Sequence, residues 1–230
     1  MIVFVANKEY NRPMSLRKTS FVLDEFYHIY NRGNGKKIIF HDNQDYKRFL
    51  SLLYLSNTRI SFRGNRISKN IFLPNKKNKI VHIGAYCLMA NHFHLLITQT
   101  EDSGITKFMQ KLTTAYSMYY NNKYKRTGSL FEGKFKSKYI NNDLYFKYLF
   151  SYVHLNPLKL FQCDYKEKGV RNKDHALIFL EKYKYSSYLD FLGVKRDENL
   201  ILDRQSFPNY FSTKEKFKLE IFEWLSYQEG

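Results

Sequence analysis

Two histidines set two residues apart are the residues of this chain best suited to chemistry. His92 and His94 lie in the apolar run 91–97 (Asn-His-Phe-His-Leu-Leu-Ile), which is typical of a β-strand. Side chains alternate between the two faces of a strand, so both imidazoles point to one side and Phe93 points to the other. Two imidazoles projecting together from a rigid element are half of a metal site. The alternative is that both are ordinary, hydrogen-bonded strand histidines.

A helix that ends before Pro157 offers the groups that a histidine pair lacks. The sequence predicts this helix over residues 141–156, because a residue that precedes a proline is pushed out of helical geometry. Tyr152 and Asn156 are four residues apart and share one helix face. The Asn156 carbonyl oxygen could complete a metal site, and a phenol beside a metal-bound phosphate could attack phosphorus. Alternatively, Tyr152 is a half-buried aromatic residue and Asn156 is only a helix cap.

The composition points to a polyanion as the partner of a folded protein. The 38 Lys and Arg residues exceed the 21 Asp and Glu residues, which gives a net charge of +17. Hydrophobic residues make up 43% of the chain, which argues against disorder, and 20 Tyr and 20 Phe could stack on bases as well as pack. Charge of this sign favours nucleic acid as the partner, but it does not say what is done to it.

The cysteines and the apolar runs exclude several classes of protein. Cys87 and Cys163 lie far apart in sequence, and two cysteines make neither a disulfide framework nor a thiolate metal site. No apolar run approaches the roughly 18–20 residues that cross a bilayer, and the N-terminus lacks a signal-peptide pattern. We therefore expect a cytoplasmic protein without a membrane anchor.

Strands and helices alternate along the chain without a regular βαβ rhythm. The Lys/Asn-rich stretch 59–79 is typical of a loop or a loose hairpin, and the segment 26–30 is typical of a strand that ends in the turn 31–35. Hydrophobic periodicity and Asp42 as an N-cap indicate the remaining elements. These are a helix over 42–55, strands over 80–89 and 92–100, and a helix over 103–123.

The order of elements predicts an α+β fold in which helices pack on one face of an antiparallel sheet. Residues 1–21 are predicted to be an irregular lead-in, and residues 22–161 a catalytic domain. The tail, residues 162–230, has mixed charges and predicts a C-terminal extension that packs on the core, with short helices over 174–188 and 214–227.

Five blocks of sequence occur in a set order between about residues 22 and 193. They are 26–34 (Phe-Tyr-His-Ile-Tyr-Asn-Arg-Gly-Asn), 86–96 (Tyr-Cys-Leu-Met-Ala-Asn-His-Phe-His-Leu-Leu), 126–136 (Arg-Thr-Gly-Ser-Leu-Phe-Glu-Gly-Lys-Phe-Lys), 152–157 (Tyr-Val-His-Leu-Asn-Pro) and 183–188 (Tyr-Lys-Tyr-Ser-Ser-Tyr). With these blocks the chain resembles the REP-associated tyrosine transposases, which are members of the single-tyrosine HUH transposase superfamily.

The resemblance implies a fold, a chemistry and a set of site residues. The fold would be a ferredoxin-like α+β domain, and the substrate would be single-stranded DNA, often beside an imperfect hairpin. The family's histidine pair falls on His92 and His94, its nucleophile on Tyr152 and its third metal ligand on Asn156. Attack by the tyrosine would leave a 5′-phosphotyrosine link and a free 3′-OH, with Mg²⁺ or Mn²⁺ as the metal. Relatives act as monomers or as homodimers.

The chain departs from the family's usual pattern in two blocks. Ala90 stands where the family usually has proline, and 183–187 reads Tyr-Lys-Tyr-Ser-Ser where the family has Tyr-Pro-Trp-Ser-Ser. Neither change removes a ligand or the nucleophile, so both bear on loop geometry. Tyr116, Tyr119 and Tyr120 compete as nucleophiles, but no metal-ligand residue lies one turn away from them. We interpret them as core or base-stacking residues.

The basic segment 123–138 is predicted to bind DNA, and Arg32 is a weaker candidate because the turn at the end of a strand explains it equally well. If about five phosphates are neutralised, the log–log salt slope of binding to single strands is expected near about −3.5. The proposed contacts are Lys123, Lys125, Arg126, Lys134, Lys136 and Lys138 on phosphates, and Phe131 or Phe135 under a base.

The sequence therefore predicts a transposase that cleaves and rejoins single-stranded DNA. Two other functions stay open on the residues. One is a catalytically inactive protein that keeps the fold and binds single-stranded nucleic acid. The other is a metal-dependent nuclease that activates water at His92 and His94 and has no use for Tyr152.

Overall fold

A four-stranded antiparallel sheet organises the protein. The computed structural model describes residues 21–59, 71–72 and 78–226. Neighbouring strands pair in the order β2-β3-β1-β4, so the first strand lies between the third and the fourth. The strands are β1 (Phe26–Arg32), β2 (Val81–Met89), β3 (His92–Gln99) and β4 (Lys136–Tyr139).

Helices connect the strands and complete the chain. The first two follow β1 and β3, which gives the element order β-α-β-β-α-β of a ferredoxin-like domain; the predicted α+β class is confirmed. The helices are α1 (Asn43–Ser56), α2 (Gly104–Lys123), α3 (Asp143–Leu155), α4 (Leu158–Phe161), α5 (Tyr165–Lys168), α6 (Lys173–Lys182), α7 (Tyr188–Phe191) and α8 (Lys214–Ser226).

Most predicted elements lie within a few residues of their expected bounds. The carboxylate of Asp42 accepts a hydrogen bond from the Asp45 amide at 3.0 Å, so the predicted N-cap of α1 is confirmed. The strands β2 and β3 and the helices α2 and α3 are also confirmed. The predicted loop over 59–79 lies largely at 60–70 and 73–77, and the lead-in at 1–20; both fall outside the described residues.

One face of the sheet, which we call the core face, packs against α1 and α2. Its side chains on the strands include Ile29, Tyr86, Phe93 and Leu95, all fully buried. The alternation of side chains places these residues on one side and the intervening residues on the other. Helices α1 and α2 therefore lie where a ferredoxin-like fold requires them.

The opposite face, which we call the histidine face, carries His28 on β1 and both His92 and His94 on β3. Helix α3 packs on β2 and β3 from this side. The C-terminal helices α6 and α8 join the same apolar cluster, through Leu180 and Ile221 among others. Helices α1 and α2 pack on one face of the sheet, as predicted. Helix α3 and the C-terminal helices also have apolar side chains to bury, and they pack on the opposite face.

Two segments of extended chain add to the edges of this sheet. Strand β4 lies in the basic segment, where lysines hide the alternation that indicates a strand, and it pairs with β1 through Tyr30↔Lys136 and His28↔Lys138. The predicted helix over 174–188 ends at Lys182 instead. Residues 185–187 run along β2, where Leu88 N–H donates to the Tyr185 carbonyl at 2.9 Å.

Within the described part of the chain, no helix is long and apolar enough to cross a bilayer.

Candidate metal centre and nucleophile

The turn before β3 is anchored by backbone and side-chain hydrogen bonds. The amides of Ile39 and Phe40 donate to the Ala90 carbonyl at 2.9 and 3.0 Å, and the Gly33 amide donates to the Asn91 carbonyl at 2.8 Å. The Asn91 side-chain amide donates to the Lys36 carbonyl at 3.1 Å. This orientation turns the Asn91 Oδ1 atom toward the first histidine of β3. Alanine and proline have the same backbone carbonyl, so the hydrogen bonds from Ile39 and Phe40 do not depend on which of the two stands at position 90.

His92 has one ring nitrogen engaged with this turn. Its Nδ1 lies 2.6 Å from the Asn91 Oδ1, and because that oxygen can only accept, Nδ1–H is the donor. The lone pair is then on Nε2. Burial lowers the pKa of His92 to about 4, aided by the charges of Lys159 and Arg32, while Asn156 acts in the opposite direction. His92 is therefore a neutral imidazole at physiological pH.

His94 is held by a third histidine, which the sequence analysis did not anticipate. The Nε2 atom of His28 lies 2.8 Å from Nδ1 of His94, and the rings are stacked with centroids 5.0 Å apart. Nε2 of His94 is buried and has no hydrogen-bond partner among the described residues. Burial lowers the pKa values of both His28, to about 4, and His94. With Nδ1–H of His94 donating to His28, a lone pair on Nε2 remains for a ligand.

Asn156 follows α3 as its C-cap and is 0% exposed. Its Oδ1 and Nδ2 atoms make no well-formed hydrogen bond within the part of the chain that the structure describes, although the side chain lies near enough to His92 to act on the pKa of that imidazole. Leaving a buried amide unpaired costs roughly 1–3 kcal/mol, so such a group in a folded protein suggests a missing ligand. The backbone carbonyl of Asn156 accepts from the Lys159 amide at 3.2 Å, which leaves the side chain as the unpaired part.

Tyr152 stands one turn before Asn156 and lies over the histidines. Its ring centroid is 5.6 Å from that of His94 and 6.2 Å from that of His28, both edge-on. The ammonium group of Lys166, on α5, lies 4.1 Å from the Tyr152 ring centroid. The structure therefore brings His92, His94, Tyr152 and Asn156 together on the histidine face.

The residues present fit a small divalent cation. Two neutral imidazoles and one amide oxygen are a donor set of the kind that Mn²⁺ or Mg²⁺ accepts with water or phosphate oxygens. Nε2 of His94 and Oδ1 of Asn156 are the buried atoms that lack partners. Among the described residues there is no group of three or more His, Cys, Asp or Glu side chains that could hold a metal ion, so an amide would have to be the third ligand.

The competing tyrosines on α2 have structural roles instead. The hydroxyl of Tyr116 donates to the Ile39 carbonyl, and that of Tyr120 donates to the Ile38 carbonyl at 3.1 Å. Tyr119 donates to Asp45 at 2.9 Å. All three lie on the core side of the sheet, away from the histidines, and burial raises the pKa of Tyr119 to about 12.

Two of the predicted DNA contacts are corrected by the structure. Phe131 is only 5% exposed and packs against Phe93 in the core, so it cannot lie under a base. The Lys123 ammonium is bound by Asp42 at 2.8 Å and by the buried Asp45 at 2.7 Å, so its charge is already compensated. The sequence pattern missed both because burial and ion pairing depend on residues far away along the chain.

The remaining predicted DNA contacts divide by position. Arg32 forms an ion pair with Glu132, and Arg126 lies over the Tyr120 ring at 5.5 Å. Phe135 is partly buried and stacks on Phe21. The remaining lysines of the segment are exposed, and the register with β1 puts two of them on the histidine face. The four exposed lysines are Lys125, Lys134, Lys136 and Lys138.

Two further groups at the site have only weak signals in the sequence. His28 lies two residues from Tyr30 in a predicted strand, but only the pairing of β1 with β3 shows that it faces His94. Lys166 comes from the C-terminal segment, where the charges are mixed and no motif marks it. Both residues can be identified only once the fold shows which side chains pack near the histidine pair.

Comparisons with known proteins bear mainly on the middle of the chain, where three of the five sequence blocks begin. A family model described as IS200-like transposase matches residues 55–156, a range that contains His92, His94 and Tyr152 and ends at Asn156. A solved structure of a REP-associated tyrosine transposase bound to a REP hairpin is similar over 80% of this chain and 90% of that chain, with a TM-score of 0.48 and 12% identity. No curated protein sequence matches. The family model therefore confirms a resemblance to transposases over residues 55–156.

Proposed function

We propose, from the premise that residues 55–156 are an IS200-like transposase segment, that this chain cleaves and rejoins single-stranded DNA with Tyr152 as nucleophile. The Tyr152 phenolate oxygen would attack the phosphorus of a DNA phosphodiester. The bond from phosphorus to the 3′-oxygen would break, that oxygen would take a proton, and the 5′-phosphate would stay on the tyrosine. Attack by a 3′-OH would reverse these steps and join two strands.

The residues around Tyr152 would each support one part of this reaction. The ammonium of Lys166, 4.1 Å from the centroid of the phenol ring, would place a positive charge beside the attacking group. His92, His94 and Asn156 would hold a divalent metal through Nε2, Nε2 and Oδ1. When bound, that metal would polarise the phosphate oxygens. His28 fixes the ring of His94 through the 2.8 Å hydrogen bond.

Exposed lysines beside the site favour a strand of DNA that crosses the histidine face. Lys136 and Lys138 stand on β4 opposite Tyr30 and His28, and the pKa of His28 is lowered in part by the charge of Lys138. The Lys138 ammonium also lies 4.5 Å from the Tyr145 ring. Phosphates bound along β4 would lead a strand toward Tyr152.

The observation that carries the proposal is the set of unpaired buried atoms beside a tyrosine. Nε2 of His94 and both side-chain polar atoms of Asn156 have no partners within the described part of the chain. In a site with a purely structural role, these atoms would be paired with one another or with neighbouring backbone groups. A metal-bound phosphate next to the Tyr152 hydroxyl would satisfy them.

A covalent-adduct assay tests the proposal. The protein is mixed with labelled single strands from both flanks of its own gene, with Mn²⁺ or Mg²⁺, and run on denaturing gels. We expect label to remain with the protein, and to disappear with Tyr152→Phe and with a chelator. Tyr119→Phe is the matched control, because Tyr119 lies on the core side and the adduct should persist.

Other outcomes of the same assay would favour the other two functions. Cleavage without an adduct that survives Tyr152→Phe would indicate a nuclease that uses water. Binding with neither cleavage nor adduct, on strands from both flanks and unaffected by chelator, would indicate an inactive single-strand-binding protein.

A further inference from the structure

A cleft opens beside Tyr152, between α3, α5 and α8. Its walls come from α3, from α5 and the residues after it, and from the end of α8, and its cavity volume is about 80 Å³. Six of the residues that line it carry the argument: Tyr148, Tyr152, Tyr165, Lys166, Val170 and Trp224. None of the sequence blocks explains why an aromatic cleft should lie here.

The walls of the cleft are aromatic and held in place. Trp224 and Tyr148 meet edge-on with centroids 5.2 Å apart, and Tyr148 stacks near Tyr152 at 6.0 Å. The indole N–H of Trp224 donates to Glu220 at 2.8 Å, and Glu220 also pairs with Lys147 on α3 at 2.6 Å. These contacts fix the end of α8 against α3.

The opposite wall is anchored to the same helix. The Tyr165 hydroxyl donates to the Leu155 carbonyl at the end of α3, at 3.3 Å. The next residue, Lys166, places its ammonium over the Tyr152 ring. The cleft therefore combines aromatic faces with a single positive charge at its edge, and it shares the Tyr152 side chain with the proposed catalytic site.

We propose that this cleft binds one unpaired base of the DNA strand, from a nucleotide next to the phosphate that Tyr152 attacks. A planar base would stack on these aromatic walls, where stacking contributes roughly 1–3 kcal/mol per base. Lys166 is placed to meet the phosphate that joins this nucleotide to its neighbour. A base in a duplex is stacked and paired and cannot enter, so the cleft selects single strands.

This inference rests on the proposed function only for the identity of the attacked phosphate. The cleft, its aromatic walls and the nearby lysine are present whether or not Tyr152 is a nucleophile. Binding of a base can therefore be measured in a protein that cannot react.

The experiment uses Trp224 as its reporter, since it is the only tryptophan of the chain. The full-length Tyr152→Phe protein is titrated in chelator with a heptamer of thymidine and with a heptamer of abasic nucleotides. We expect the thymidine strand to quench the tryptophan fluorescence and to bind roughly tenfold more tightly than the abasic strand. Equal affinities, or no quenching by the thymidine strand, would overturn the proposal.

A pair of matched variants places the base in the cleft. Val170→Phe fills the cleft, whereas Ile178→Phe makes an addition of similar size at an exposed position of α6. We expect Val170→Phe to lose most of the preference for the thymidine strand and Ile178→Phe to keep it. Equal preference in the two variants would contradict the assignment.

A second measurement covers the case in which Val170→Phe does not fold. Trp224→Ala is titrated with the same strands carrying a fluorescent label, and binding is followed by anisotropy. Its preference for bases should fall several-fold, and Trp224→Phe should restore part of it. An unchanged preference in Trp224→Ala would reject the cleft as the base site.

The experiments distinguish a failure of the base-binding proposal from a failure of the proposed function. If the adduct forms but thymidine and abasic strands bind alike, Tyr152 is the nucleophile and the cleft is not a base site. If bases are preferred but no adduct forms with any flanking strand, the cleft binds bases and the proposed chemistry is wrong.

Discussion

Two buried polar clusters, one on each side of the sheet, differ in how completely they are paired. On the core face, Asp45 is 0% exposed yet accepts from Tyr119, Tyr124 and the His41 amide, in addition to its ion pair with Lys123. On the histidine face, Nε2 of His94 and the amide of Asn156 are buried without partners.

This difference separates stability from function within one sheet. A buried group with several partners stabilises a single conformation, so the Asp45 cluster is part of the scaffold. Unpaired buried groups cost free energy unless a ligand meets them, so the histidine face is suited to binding. Both faces are built from alternate residues of the same strands, and adjacent residues therefore belong to different parts of the molecule.

The largest expected effect comes from adjacent residues on opposite faces. Phe93 is fully buried and its ring centroid lies 4.9 Å from that of Phe49. Phe93→Ala should lower the free energy of unfolding by about 3–5 kcal/mol, measured by urea denaturation. His94→Ala should instead abolish Mn²⁺ binding, measured by calorimetry, with a smaller loss of stability. If His94→Ala kept its Mn²⁺ affinity, the two adjacent residues would not divide into one for stability and one for metal binding.

The stability of the protein at low pH should depend on the Asp45 cluster. Burial acts to raise the pKa of Asp45, but Lys123, Tyr124 and the His41 amide lower it below the ordinary 3.8. A carboxylate with a lowered pKa stabilises the folded state above its ordinary pKa and loses that contribution as the pH falls through the folded value. Unfolding free energy should therefore drop steeply below about pH 4. Asp45→Asn should be less stable at pH 7, with a shallower acid dependence; parallel pH profiles would contradict this.

His28 should influence metal affinity without touching the metal. His28→Phe keeps an aromatic ring but removes the Nε2 atom that contacts His94 at 2.8 Å. Loss of such an outer hydrogen bond lowers metal affinity by about 10–100-fold, and Mn²⁺ titration would measure it. His28→Gln is the matched control, because its side-chain oxygen can accept from Nδ1–H of His94 and should restore part of the affinity. Equal affinity of His28→Phe and the unmodified protein would show that His28 only packs.

The smallest effect should distinguish two lysines of the basic segment. Lys136→Gln removes an exposed charge on the histidine face and should reduce the salt slope of single-strand binding by about 0.7, with stability changed by less than about 0.5 kcal/mol. Lys123→Gln removes the ion pair with Asp45 and should lower stability while leaving the slope unchanged. The opposite assignment of the two effects would show that the DNA lies on the core side.

Local pattern was enough to predict most of the fold. The apolar runs of β2 and β3, the apolar stripe of α2 and the cap at Asp42 are set by residues close in sequence, and these elements lie where expected. Strand β4 was missed because its register is imposed by pairing with β1, and its side chains are mostly lysines. The extended residues 185–187 were missed for the same reason, since hydrogen bonds to β2 hold them.

The candidate site was predicted in its main residues and corrected at its borders. His92 and His94 were recognisable from their spacing, and Tyr152 with Asn156 from the helix that ends before Pro157. Phe131 was assigned to DNA, yet its ring packs against Phe93 in the core.

By itself, the sequence determined the class of fold, the residues that could hold a metal or attack phosphate, and the basic charge of the protein. These are properties of residue type and short-range spacing. Only the tertiary structure decided that His28 contacts His94, that Lys123 is bound by Asp45, and that Trp224 closes a cleft beside Tyr152. The two residues of each contact lie 66 to 78 positions apart in the sequence. Whether they meet depends on how the helices pack on the two faces of the sheet.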